Sequence, residues 1–127
     1  MVYLDSSAVV KLVVEEAESA ALRRFLLRHP ARSSCALVRV EVPRAVAARG
    51  ASAVENARRV IGTLDLVLLD DALLDAAGDL VGDLPSLDAV HVSAARQLGE
   101  DLDYLVTYDH RMAAAAEAFG MTVADPS

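Results

Sequence analysis

The feature that most constrains the fold is a regular alternation, along the whole chain, of short strand-like runs with longer segments of helical periodicity. Predicted strands cover residues 2–5, 32–35, 66–69, 104–107 and 121–123. Predicted helices cover residues 7–16, 18–29, 52–64, 71–81, 87–98 and 110–119, with one more that starts near Ser33 or Ser34 and ends at Arg49. This alternation predicts an α/β fold in which a mostly parallel central sheet is flanked by helices.

The 127 residues contain no internal repeat and no low-complexity linker, so we predict a single domain over residues 1–127. Hydrophobic residues make up 54% of the chain, which is typical of a globular protein. No apolar run reaches the roughly 18 residues that a membrane span needs. Because residues 2–4 have the pattern of the first strand, we expect no secretory leader. The single cysteine, Cys35, cannot form an internal disulfide, which fits the reducing cytoplasm, where we expect the protein to act.

The charge balance argues against a general nucleic-acid binder, because the net charge is −7 and such proteins normally have a basic surface. All the basic residues are arginines except Lys11. Arginine binds phosphate through a bidentate fork, so local basic patches can exist on an acidic protein. For any one cluster, such as Arg23 and Arg24, a solvated helix face is an equally good interpretation.

Two acidic residues lie at or just past the ends of predicted strands, which is where parallel sheets bind their ligands. Asp5 comes directly after Val2–Leu4, and Asp109 follows the strand that ends near Thr107. Each of these acids could instead simply cap the helix that follows it.

Two further acidic residues lie on predicted helices. Asp88 opens a helix that is apolar on nearly every face, and a buried carboxylate there needs a partner. Glu41 is placed mid-helix, where it has no capping role, and its neighbours are mostly apolar. Pairing with Arg44 at i+3 on the surface is one interpretation of Glu41, and pointing into a shared site is the other.

If the fold brings these four acids together, their mutual repulsion requires a cation. Carboxylate oxygens without cysteine or histidine ligand motifs select Mg²⁺ or Mn²⁺ over zinc. Such an ion is suited to phosphate chemistry, because it neutralises the phosphate and activates a water. The sequence therefore predicts a magnesium or manganese site at Asp5, Glu41, Asp88 and Asp109.

Four segments of the chain resemble the motifs of PIN domains, especially those of VapC-type toxins from toxin-antitoxin pairs. They occur in the family's order and spacing, and no single one is specific. The segments are residues 2–8 with Asp5, residues 40–45 with Glu41, residues 87–95 with Asp88, and residues 105–111 with Asp109.

The resemblance implies a PIN-like three-layer sandwich and an Mg²⁺- or Mn²⁺-dependent endoribonuclease that leaves 5′-phosphate and 3′-hydroxyl ends. By position, Asp5, Glu41, Asp88 and Asp109 are then the catalytic and metal-binding acids. Ser7 and Thr107 are then hydroxyls that support the site. The implied partners are an RNA substrate, a cognate antitoxin protein and a second copy of the chain in a homodimer.

The sequence departs from the family pattern at two places. Pro43 falls inside the predicted third helix, where it is expected to kink the helix or mark a late start. Arg111 stands where some relatives have another acid, so the pattern leaves open whether one metal ion or two bind; Arg111 could contact RNA phosphate or pair with a site acid. His91 and His110 lie near site acids, but a metal-activated water needs no histidine base.

Two other classes of function compete with the nuclease. A phosphoacceptor signalling domain also has acids at strand ends, but it needs a lysine after a late strand, and Lys11 is the only lysine. A catalytically weak PIN-like protein-binding module is the second alternative.

Overall fold

The computed structural model describes residues 1–127 and contains one five-stranded sheet in the order β3-β2-β1-β4-β5. Every pair of neighbouring strands is parallel, so the mostly parallel sheet predicted above is in fact parallel throughout. The strands are β1 (Val2–Leu4), β2 (Arg32–Cys35), β3 (Asp65–Val67), β4 (Tyr104–Val106) and β5 (Val123–Ala124).

Helices connect successive strands, as parallel pairing requires. They are α1 (Ser6–Val13), α2 (Ser19–Arg28), α3 (Val38–Val46), α4 (Ala51–Ile61), α5 (Asp71–Gly78), α6 (Ser86–Gln97) and α7 (His110–Ala118). Short 3₁₀ turns cover Ala47–Arg49 and Gly99–Asp101. None of the helices combines the length and the apolar character that crossing a membrane demands.

The sheet separates two hydrophobic cores, and this makes the molecule a three-layer α/β sandwich. Side chains alternate across β1, so Val2 and Leu4 enter one core while Tyr3 enters the other. The first core is completed by α1 to α4 and the second by α5 to α7. The predicted fold class is confirmed.

The third helix begins later than predicted, and neither serine caps it. Ser33 and Ser34 lie in β2, where their hydroxyls donate to the carbonyls of Val2 and Leu4 at 2.9 and 2.6 Å. The helix therefore starts at Val38, with Pro43 inside it. It passes into a 3₁₀ turn and stops at Gly50, whose φ of 104° suits glycine, as the sequence predicted.

Several other boundaries differ from the predicted ones by a few residues. The strand predicted over 66–69 lies at Asp65–Val67, because Leu68 is 71% exposed and extends beyond the sheet. Helix α6 begins at Ser86, one residue before the predicted start at residue 87, and has no side-chain capping hydrogen bond at its N-terminus. Helices α1 and α5 each end three residues before the predicted end.

The register of β1 and β4 sets the location of the site. Leu4 pairs with Val106, so the residues after both strands emerge side by side at the carboxyl edge of the sheet. The amide of Asp5 donates to the carbonyl of Val106 at 3.2 Å and ties this edge together.

Candidate active site

Asp5 is the most buried of the four acids, with 1% of its surface exposed. Its Oδ1 accepts hydrogen bonds from the Ser7 hydroxyl at 2.7 Å and the Ala8 amide at 3.0 Å, and so caps α1. Its Oδ2 accepts from the Thr107 hydroxyl at 2.6 Å. Burial raises the pKa of Asp5, although these three donors oppose the shift.

Ser7 and Thr107 join the ends of β1 and β4 through Asp5. The Ser7 hydroxyl also accepts from the amide of Tyr108 at 3.1 Å. The Thr107 hydroxyl accepts from the amide of Asp109 at 3.1 Å. Each hydroxyl therefore donates a hydrogen bond to the carboxylate of Asp5. Each also accepts one from a backbone amide of residues 108–109, the segment that carries Asp109.

Asp109 is the cap of α7. Its Oδ1 accepts from the amides of Arg111 and Met112 at 2.9 and 3.1 Å, while its Oδ2 has no hydrogen-bond partner. Capping and site membership were opposed interpretations of this residue in the sequence. The geometry allows both, because the two oxygens face different surroundings.

Asp88 lies in the first turn of α6, is partly buried, and has no hydrogen-bond or ion-pair partner. Burial raises the pKa of Asp88, and the charges of Asp109, Asp5 and Glu41 raise it further, while His91 opposes the shift. The other three acids are therefore close enough to Asp88 to affect its pKa, Asp109 most strongly.

Glu41 lies in the first turn of α3, since the helix starts at Val38, and the predicted mid-helix position is wrong. Its side chain is 19% exposed and its Oε1 accepts from Nε2 of His91 at 2.7 Å. It makes no ion pair with Arg44, which is exposed to solvent. Of the two interpretations of Glu41, the structure supports the inward one.

His91 is fully buried on α6, one turn after Asp88. Its Nδ1 shares a 2.7 Å hydrogen bond with the Tyr3 hydroxyl and lies 3.7 Å from the sulfur of Cys35. Burial alone lowers the pKa of this imidazole, but its contacts with Cys35 and Glu41 outweigh burial and raise the pKa to about 10.

An open groove of about 620 Å³ lies beside Glu41. Its wall includes Ser7, Arg44 and the exposed apolar side chains of Val40 and Leu87. An unpaired arginine and two apolar surfaces next to a carboxylate are the groups that a phosphodiester and its bases can contact.

The acids do not form a closed metal cage, since no three carboxylate, imidazole or thiolate groups have the spacing to hold an ion by themselves. Mg²⁺ does not require such a cage, because it retains several waters and uses one or two protein carboxylates. Oxygens remain free for it on Glu41, Asp88 and Asp109. The donor set, all oxygen and partly buried, therefore fits a hydrated hard cation.

Comparisons with known proteins agree with the fold and with the order of the four acids along the sequence. The family model described as "PIN domain" matches residues 2–118. The chain belongs to the PIN domain family.

Its curated relatives place it among the VapC-type PIN domains. Ribonuclease VapC46 of Mycobacterium tuberculosis is 52% identical over 99% of this chain and 98% of its own length. Ribonuclease VapC47 and Ribonuclease VapC35 of the same species are each 36% identical over 99% of this chain and 97% of their own. No solved structure matched the chain.

In this PIN domain Arg111 does not pair with a site acid. Its guanidinium donates to the backbone carbonyl of Asp83 at 2.8 Å, so that part of the prediction is wrong. Contact with RNA phosphate remains a prediction for this exposed side chain. His110 is exposed and makes no side-chain hydrogen bond.

The structure argues against the phosphoacceptor alternative, because the lysine that it requires is engaged in other contacts. Lys11 pairs with Glu16 and Glu18 at 3.4 and 2.8 Å and stacks over the Tyr108 ring, so its charge is already neutralised.

The residue that sequence reasoning missed is His91 as the partner of Glu41. The two are 50 positions apart, and no local pattern connects them. The available signal was a histidine one turn from Asp88 on a helix whose other faces are apolar. A buried imidazole there needs hydrogen-bond partners on both ring nitrogens.

Proposed function

We propose that this PIN domain is an Mg²⁺- or Mn²⁺-dependent endoribonuclease and the toxin of a VapC-type toxin-antitoxin pair. The observation that carries the proposal is the unpaired carboxylate of Asp88, whose pKa is raised by three other acids, and which follows Leu87 in the wall of the groove beside Glu41. Relatives that match nearly the whole chain carry the name ribonuclease, which supports the same activity.

In this proposal Asp5, Glu41, Asp88 and Asp109 would hold a hydrated cation, partly through its bound waters, because no three of them are spaced to bind it directly. When bound, Mg²⁺ or Mn²⁺ neutralises the scissile phosphate and lowers the pKa of the attacking water. Ser7 and Thr107 orient Asp5 through their hydroxyls. The resulting cut would leave a 5′-phosphate and a 3′-hydroxyl.

The substrate would enter through the groove next to Glu41. Arg44 would face the phosphate backbone from one wall, and Val40 and Leu87 offer apolar surface to unstacked bases. Because the protein is acidic overall, this local groove, rather than general electrostatic attraction, would select the RNA.

Two protein partners belong to the proposal, a cognate antitoxin and a second copy of the chain. Large apolar side chains are exposed around α5 and would be covered in such an assembly: Leu68, Leu69, Leu74 and Val81.

The test is RNA cleavage by purified protein free of any antitoxin, with Mg²⁺ or Mn²⁺ present. We expect Asp88→Asn, which removes the charge and keeps the shape, to abolish cleavage, and Asp5→Ala to do the same. Asp75→Ala changes an exposed acid on α5 and serves as the matched control, with unchanged cleavage expected. Cleavage at the wild-type rate in Asp88→Asn protein would show that the site is assigned wrongly.

A catalytically weak protein-binding module is the second candidate, and the exposed apolar side chains of Leu68, Leu74 and Val81 favour it. Titration calorimetry separates the two. Absence of Mn²⁺ binding together with absence of cleavage supports the binding module, and binding with cleavage supports the nuclease.

A further inference from the structure

Three hydrogen-bonded side chains, Tyr3, His91 and Glu41, connect the core of the protein to the edge of the candidate active site. The Tyr3 hydroxyl, the two ring nitrogens of His91 and Oε1 of Glu41 are linked by two hydrogen bonds of 2.7 Å each. His91 has no exposed surface, so both of its ring nitrogens are shielded from water. The Tyr3 ring also meets the imidazole edge-on, with a centroid distance of 5.9 Å.

The direction of the hydrogen bond to Glu41 follows from its chemistry. An ionised carboxylate only accepts, so Nε2 of His91 must carry a hydrogen and donate it. On the other side of the ring, the Tyr3 hydroxyl can accept from Nδ1 or donate to it. The tyrosine therefore fixes the ring orientation whichever of these forms is present.

The strand and helices that carry the site acids also carry these three hydrogen-bonded residues. Strand β1 carries Tyr3 two residues before Asp5, and α6 carries His91 one turn after Asp88. Glu41 comes from the opposite layer, on α3. The hydrogen bond between His91 and Glu41 thus ties a helix of one layer to a helix of the other across the carboxyl edge of the sheet.

We infer that His91 is a positioning residue that holds one oxygen of Glu41, so that the other oxygen faces the cation of the site. The inference rests on the proposed function for the identity of the ligand. It assigns Tyr3 as the group that orients His91. Partners that orient a metal ligand in this way typically change metal affinity about 10- to 100-fold when they are removed.

Mn²⁺ titration of purified full-length protein by calorimetry tests the assignment. We expect His91→Leu to weaken Mn²⁺ binding about 10- to 100-fold. His91→Gln, which restores an N–H donor, should recover part of this loss. His110→Leu is the matched control, since His110 adjoins Asp109 but contacts no acid through its side chain, and it should bind Mn²⁺ like the wild type.

A double-mutant cycle distinguishes positioning from a general structural effect. If His91 acts through Glu41, adding His91→Leu to Glu41→Ala should cause no further loss of Mn²⁺ affinity. A further loss as large as in the wild-type background would overturn the inference. A folded His91→Leu protein with Mn²⁺ affinity within about twofold of the wild type would also overturn it.

Nuclear magnetic resonance of the ring N–H of His91 gives a readout that needs neither metal nor activity, and it also decides the question if His91→Leu fails to fold. We expect a slowly exchanging Nε2–H in the wild type that exchanges faster in Glu41→Ala protein. An identical signal and exchange rate in both would overturn the inference. Failure of wild-type protein to bind Mn²⁺ or cut RNA would instead count against the proposed function.

Discussion

At the scale of single residues, the site depends on how each carboxylate is held. Asp5 has three donors and almost no exposure, whereas Asp88 has no partner at all. The first is oriented by the protein, and the second is left for a ligand. Thr107 has the key local position, because its hydroxyl contacts both Asp5 and the backbone of Asp109.

Thr107→Val removes this hydroxyl and keeps the shape of the side chain. Because the buried Asp5 loses a donor, we expect a loss of about 1–3 kcal/mol in the free energy of unfolding, together with slower RNA cleavage. Chemical denaturation and a cleavage assay measure the two effects. Thr63→Val is the control, since its hydroxyl bonds only to the carbonyl of Val60 on the surface, and equal effects of the two substitutions would contradict the prediction.

The raised pKa of Asp88 predicts a pH dependence of stability in the metal-free protein. Since folding raises this pKa above 3.8, the folded state favours the protonated form, and stability is lost as pH rises through the raised pKa. Asp88→Asn has no such loss, so the melting temperature of Asp88→Asn minus that of the wild type should increase as pH increases. The side chain is partly exposed, which limits the gain to about 1 kcal/mol or less. Thermal melts in EDTA from pH 3 to pH 8 measure it, and a constant difference across that range would refute the prediction.

At the scale of elements, the same N-cap arrangement occurs three times: an aspartate that follows a strand caps the next helix. Asp5 caps α1, Asp70 caps α5 and Asp109 caps α7. Of these three caps, only Asp109 and Asp5 raise the pKa of Asp88, because β1 and β4 are neighbours whereas β3 is two strands away from β1. Topology therefore decides which caps also belong to the site.

Comparing Asp109 with Asp70 separates capping from catalysis. Asp109→Ala and Asp70→Ala should each cost about 1 kcal/mol of stability, because each removes a cap. Asp109→Asn keeps a good cap and should retain stability while losing RNA cleavage, whereas Asp70→Ala should cleave normally. Denaturant unfolding and cleavage assays on the three variants test this, and wild-type cleavage by Asp109→Asn would contradict it.

The sequence predicted the parts of this arrangement that depend on local pattern, and missed those that depend on distant partners. The acids after β1 and β4 were identifiable because strand, acid and helix follow directly in the chain. The start of α3 was placed too early because a serine hydroxyl can cap a helix or bond to a neighbouring strand, and Ser33 and Ser34 do the latter. The partner of Glu41 could not be found, since His91 reaches it only after both layers have packed.

At the scale of the whole molecule, the site lies where two separately packed layers meet at one edge of the sheet. Glu41 comes from the layer of α1 to α4, and Asp88 and Asp109 come from the layer of α5 to α7. In the proposed function, a cation bound by acids of both layers would join them. Binding should therefore stabilise the whole fold as well as enable cleavage.

Mn²⁺ should raise the melting temperature of the protein, and EDTA should reverse the effect. At a free concentration about 100 times the dissociation constant, the gain is about 2.7 kcal/mol, or roughly 10 °C for a chain of this size. Differential scanning fluorimetry measures it. Asp88→Ala should show a much smaller shift, and an equal shift would mean that Mn²⁺ binds elsewhere.

The central place of β1 in the sheet also affects how the protein is made. Asp5 is synthesised 102 residues before Thr107, whose hydroxyl holds it. An unfinished nascent chain therefore lacks both the β4 edge and Asp109, and domains of this kind fold as units. If the proposed function holds, translation products truncated before Thr107 should be inert toward RNA, because Asp5 then lacks a donor and Asp109 is missing.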